Sequence, residues 1–136
     1  MNVVVPTPPR ASRSALRPIS VLLVDDDNDT SSMLAVVLEH AGYTVETASH
    51  GREALELLRL VVPCVILLDL EMPVMNGAQF REKQRQDRDL IRIPTIVLTG
   101  SREEPVLDPA ISRVLHKPCT SKKLMAVVAE YASVAS

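Results

Sequence analysis

The sequence predicts an α/β protein built on a doubly wound, five-stranded parallel sheet. Three observations carry this expectation. Short runs of branched apolar residues recur along the chain, as in Val65-Ile66-Leu67-Leu68 and Thr95-Ile96-Val97-Leu98-Thr99. Such unbroken runs suit strands buried on both faces, as parallel sheets require. Segments with helical spacing of apolar residues separate them, and polar or charged residues gather where each apolar run ends.

The totals fit one small domain. The chain has 136 residues, of which 46% are hydrophobic and 24% charged, enough for a single core. A net charge of −2 leaves no electrostatic footprint for nucleic acid. No apolar run approaches the roughly 20 residues of a membrane span, and no secretory signal is visible. Cys64 and Cys119 are too few for a disulfide framework, so a cytoplasmic location is expected. Cys64 is expected in the core. With Phe80, Tyr43 and Tyr131 the only aromatic residues, that core must be aliphatic.

Residues 1–18 hold four of the ten prolines, and their only charges are Arg10, Arg13 and Arg17. This composition is read as a flexible leader, with the folded domain over 19–136. Ser20–Val24 is the first strand, running into Asp25, Asp26, Asp27, Asn28 and Asp29. Asn28 or Asp29 is expected to cap a helix through His40, with Leu34, Val37, Leu38 and Ala41 on one side. Gly42 closes it. Thr44–Ala48 follows as a second strand. A helix opening at Gly51 is expected to carry Ala54, Leu57, Leu58 and Val61 as one stripe, and to stop at Pro63. The Val65–Asp69 strand leads into a loop with Pro73 and Gly77. Ala78–Gln86 reads as an exposed helix anchored by Phe80. After Pro94 comes the strand Thr95–Thr99. Ser101–Ser112 carries Pro105 and Pro109 and has poor helical periodicity. Arg113–His116 is a short fifth strand, and Thr120 or Ser121 caps a last helix bearing Leu124, Val127, Val128 and Tyr131.

The carboxyl ends of parallel strands lie on one edge of the sheet, where open α/β folds place their ligands. Here those ends carry Asp25 and Asp26, Asp69, Thr99 and Lys117. Three carboxylates brought together raise one another's pKa unless a cation joins them. A hard divalent ion such as Mg²⁺ is the natural partner, because it accepts oxygen ligands and keeps positions for water and phosphate. Lys117 and Thr99 add a positive charge and a hydroxyl donor. The set suits phosphoryl transfer onto Asp69 as nucleophile. His40, His50 and His116 have no ligand spacing and read as surface or packing residues.

The pieces Val21-Leu22-Leu23-Val24-Asp25-Asp26, Leu67-Leu68-Asp69-Leu70-Glu71-Met72-Pro73 with Gly77, Pro94-Thr95-Ile96-Val97-Leu98-Thr99-Gly100 and Lys117-Pro118 resemble the receiver domain of two-component response regulators. The likeness is to the chemotaxis-response-regulator type and spans about residues 20–134. It implies a flavodoxin-like strand order of 2-1-3-4-5 and phosphorylation on Asp69 from a partner histidine kinase or phosphotransfer protein. It further implies a Mg²⁺ site of Asp25, Asp26, Asp69 and the backbone carbonyl of Glu71. Thr99 and Lys117 would bind the phosphoryl group, and the Lys117–Pro118 bond would be cis. Such a domain catalyses at most its own phosphorylation and dephosphorylation. Only 19 residues follow Lys117, so output is expected through contacts with a downstream protein, or as a relay intermediate.

The chain departs from the family pattern in three places. Val114 stands where receivers carry an aromatic residue, three positions before the lysine. Cys119 stands where Phe usually follows Lys-Pro, and is read as a small apolar replacement. The interval between Thr99 and Lys117 is short and lacks the Gly-Ala pair before the fifth strand, so the fourth helix is expected to be short, irregular or absent. Two other readings compete: a phosphorylation-independent interaction module on this fold, and a small Mg²⁺-dependent phosphatase of the haloacid-dehalogenase type, which would need a cap domain.

Overall fold

A computed structural model describes residues 16–70, 77–100, 111–117 and 119–132. Five strands form one parallel sheet in the order β2-β1-β3-β4-β5. They are β1 (Arg17–Val24), β2 (Val45–Ala48), β3 (Val61–Asp69), β4 (Thr95–Thr99) and β5 (Ile111–His116). Four helices lie between and after them among the described residues: α1 (Asn28–His40), α2 (Gly51–Leu57), α3 (Gly77–Arg85) and α4 (Ser121–Ala129). Strand order 2-1-3-4-5 is the expected one.

Alternation along each strand divides the core into two halves. On one face Val21, Leu23, Val65, Leu67, Leu98 and Leu115 pack with Leu38 of α1 and with Leu124, Val127 and Val128 of α4. On the other, Leu22, Val24, Ile66 and Leu68 pack with Ala54 of α2 and Phe80 of α3. Burial on both faces explains why β3 and β4 read as continuous apolar runs.

Several boundaries differ from expectation for local physical reasons. The first strand starts at Arg17, taking in Arg17 and Pro18, which pair with Val61 and Val62. The second helix is shorter than its apolar stripe suggested: it ends at Leu57, and Val61 and Pro63 belong to β3. β-Branched Val61 and Val62 favour the extended chain. Pro63 is tolerated there because β4 begins only opposite Ile66, so no described strand needs an N–H from Pro63 on its far side. This early start also leaves Cys64 exposed rather than in the core. Asp27, not Asn28 or Asp29, caps α1, its carboxylate accepting from the amides of Asp29 and Thr30. Ile111 and Ser112 belong to β5, two residues earlier than expected. The expected irregular fourth helix falls on 101–110, outside the described residues.

The third helix holds the main surprise. Phe80 is buried as expected, but so are Arg81 and Gln84, which the polar sequence placed on an exposed surface. Gln84 Nε2 donates to Leu90 O at 2.9 Å and to Thr95 Oγ1 at 3.2 Å, while its Oε1 accepts from Arg81. The amide thus ties α3 and its following turn to the first residue of β4. Gln84→Leu keeps the volume but strips donors and an acceptor from buried partners. It is expected to cost about 2–4 kcal/mol, read as a lower urea midpoint at unchanged slope.

Candidate functional site

Asp25 follows β1 directly, Asp69 ends β3, Thr99 ends β4, and Lys117 follows β5. Their common level is set by the ladder: Val24 pairs with Leu68, Asp69 with Leu98, and Thr99 with His116. The amide of Lys117 donates to Thr99 O at 2.8 Å, extending the β4–β5 pairing one residue beyond the last pair.

The carboxylates of Asp25, Asp26 and Asp69 each offer an oxygen within 4.8 Å of the others. Asp25 and Asp69 are each 2% exposed, whereas Asp26 faces solvent. Lys117 Nζ reaches Asp69 Oδ2 at 3.1 Å across 48 residues of sequence. Thr99 is buried as well. The fold thus brings Asp25, Asp26, Asp69 and Lys117 together, with Thr99 at the end of the strand between β3 and β5. Glu71, expected to offer a backbone carbonyl, and Pro118, expected to follow a cis bond, lie outside the described residues.

Their facing is not uniform. Two-residue alternation from Leu23, Leu67 and Leu115 puts Asp25, Asp69 and Lys117 on the α1/α4 face of the sheet edge. Thr99, one residue beyond Leu98, lies on the opposite face together with its register partner His116. The site is thus a saddle over the strand ends, acidic and cationic on one side and hydroxyl-bearing on the other.

Electrostatics make the acidic side costly as it stands. Asp25 is pushed above the usual carboxylate range, chiefly by burial and further by the charges of Asp69 and Asp26. The Asp27 amide and Lys117 pull in the other direction. Asp25 Oδ1 accepts from the Asp27 amide at 2.9 Å, but its buried Oδ2 has no hydrogen-bond partner among the described residues. A buried carboxylate oxygen beside two more carboxylates is the donor set a hard divalent cation takes. Mg²⁺ fits these residues on that ground. Asp27 behaves oppositely: the Thr30 hydroxyl, then the amides of Thr30 and Asp29, hold it below the usual range as a helix cap.

Cys119 is half-buried and packs on the α1/α4 core, consistent with a small apolar residue. Among the described residues, no helix is long and apolar enough to cross a membrane.

An open parallel sheet in this order, with an acidic cluster and a lysine at its carboxyl edge, is a doubly wound, flavodoxin-like α/β architecture with its site at the strand ends. Residues 21–129 match the model of the response regulator receiver domain. The chain belongs to that family, a module of two-component signalling. It is 46% identical over 88 residues to a protein-glutamate methylesterase/protein-glutamine glutaminase of Treponema pallidum, covering 63% of this chain and 21% of that protein. It is 34% identical over 111 residues to the response regulator MprA of Mycolicibacterium vanbaalenii, covering 80% of this chain and 48% of that one. The chain thus spans half or less of the length of these curated relatives. Among solved structures, the chemotaxis protein CheY4 of Vibrio cholerae superposes with a TM-score of 0.73 at 31% identity, covering 86% of this chain and 99% of that chain.

Proposed function

We propose that this chain is a phosphoacceptor receiver, taking a phosphoryl group onto Asp69 from a phosphohistidine on a partner kinase or phosphotransfer protein, and signalling through protein contacts. The observation that carries the reading is the buried Asp69 held at 3.1 Å by Lys117 Nζ, with oxygens of Asp25 and Asp26 within 4.8 Å. We place it in the cytoplasm, with the donor.

Asp69 supplies the nucleophilic oxygen: an O–P bond forms as the P–N bond to the donor imidazole breaks. The imidazole leaves with the electron pair of that bond. Burial keeps Asp69 poor in solvent, and the Lys117 ammonium lies directly against it. As the phosphoryl group arrives, Lys117 is placed to turn its charge from the carboxylate to an equatorial oxygen, and Thr99 to donate its hydroxyl from the other face. Asp25, Asp26 and Asp69, with the Glu71 carbonyl, would hold Mg²⁺, which would supply further positive charge to the transferring group. Water later cleaves the acyl phosphate and restores the carboxylate.

The test is incubation with Mg²⁺ and acetyl phosphate followed by intact-mass measurement. One added phosphoryl group is expected on the wild type and none on Asp69→Asn. A wild type without adduct, in a protein still folded, would favour the phosphorylation-independent interaction module. Sustained turnover of simple phosphate esters would favour the phosphatase.

A further inference from the structure

We infer that His116 is a positioning residue for the Thr99 hydroxyl, and through it for the phosphoryl group; this rests on reading Asp69 as the phosphoacceptor. Thr99 and His116 are register partners on neighbouring parallel strands, whose backbones run about 4.8 Å apart. Leu98 and Leu115, the preceding pair, both enter the α1/α4 core, so Thr99 and His116 share the opposite face. Lys117, the next residue, is anchored twice: its amide on Thr99 O and its ammonium on Asp69 Oδ2. The backbone around His116 is therefore held by the site itself. Thr99 is buried, while His116 reaches the solvent edge beside it. Val114, two residues earlier on the same face of β5, has no polar atom to offer.

A threonine hydroxyl has one proton to donate and lone pairs to accept with. When that proton points at a phosphoryl oxygen, a donor on the other side of Oγ1 strengthens the bond by polarising the hydroxyl. An imidazole N–H of His116 is placed to be that donor. The chain N–H···Oγ1–H···O–P runs along the sheet edge from β5 through β4 toward β3. The sequence alone places His116 among surface or packing residues, because the register pairing that gives it a role is invisible in one dimension.

The test is a double-mutant cycle read by calorimetric binding of beryllofluoride in the presence of Mg²⁺. His116→Val is expected to weaken binding roughly three- to ten-fold, the worth of one hydrogen bond. His116→Gln, which keeps an N–H donor, is expected to stay within about twofold of wild type. In a Thr99→Ala background, His116→Val should cause no further loss. The inference is overturned if His116→Val binds as wild type does, or if it costs the same factor with and without the Thr99 hydroxyl. If the wild type neither binds beryllofluoride nor forms an adduct with acetyl phosphate, the phosphoacceptor reading fails and this inference with it. Wild-type binding without coupling removes the His116 role alone.

Discussion

Asp25→Asn is expected to make the metal-free protein more stable at pH 7 by about 1–2 kcal/mol, while cutting Mg²⁺-dependent phosphorylation about 100-fold or more. The two effects have one cause. Asp25 is buried against Asp69 and Asp26, and its pKa is raised in the folded protein, first by burial and then by those charges. The folded state therefore holds this proton more tightly than the unfolded chain does. Below the ordinary carboxylate pKa both states are protonated and the penalty is absent. Stability falls from the ordinary carboxylate value upward and is fully lost as pH rises through the raised folded value, where the folded state accepts a charge it disfavours. Asparagine never ionises, and its Oδ1 still accepts from the Asp27 amide, as Asp25 Oδ1 does now. The stabilisation should thus be present at neutral pH and fade below about pH 4. Urea unfolding in the absence of Mg²⁺, at pH 7 and pH 3.5, reads the difference. Equal stability of the two proteins at pH 7 would show that the acidic cluster is not strained.

Lys117→Met is expected to separate binding from transfer. Lys117 is the cation paired with Asp69, at 3.1 Å. Without it the three carboxylates lose a competing positive charge, and Mg²⁺ should bind several-fold more tightly by calorimetry. The rate of adduct formation from acetyl phosphate should fall roughly 10²–10³-fold, because the cation that meets the charge moving onto the phosphoryl oxygens is gone. Lys117→Arg should restore little, since a planar guanidinium cannot occupy the place of a compact ammonium. Tighter Mg²⁺ binding with unimpaired phosphorylation would mean that Lys117 serves only to balance charge.

Much of the sheet and of the acidic site could be read from the sequence, for physical reasons that do not extend to the rest. Strands buried on both faces need unbroken apolar runs, and parallel strands need their polar ends on one edge. Asp25, Asp69, Thr99 and Lys117 are therefore legible as a set of strand ends in one dimension. Boundaries set by pairing partners were less legible. In one dimension Val61 continues a helical stripe and Pro63 stops it, yet both join β3 because Arg17 and Ile19 extend β1 beside them. Gln84 and Arg81 have ordinary polar character for an exposed helix; only the returning turn at Leu90 and Thr95 makes them an interior pair. Cys64 looked like core because it opens an apolar run, but it stands where β3 outruns β4. His116 owes its position to the β4–β5 register, which depends on the whole sheet closing.

Locating the phosphoryl group is the most direct test of the central claim. Protein treated with Mg²⁺ and acetyl phosphate is reduced with borohydride, which converts an aspartyl phosphate to homoserine, and its peptides are sequenced by tandem mass spectrometry. Homoserine at position 69 and at no other carboxylate is the expected result. Homoserine at position 25 or 26, or none anywhere in protein that binds Mg²⁺, would contradict the assignment of Asp69 as the phosphoacceptor.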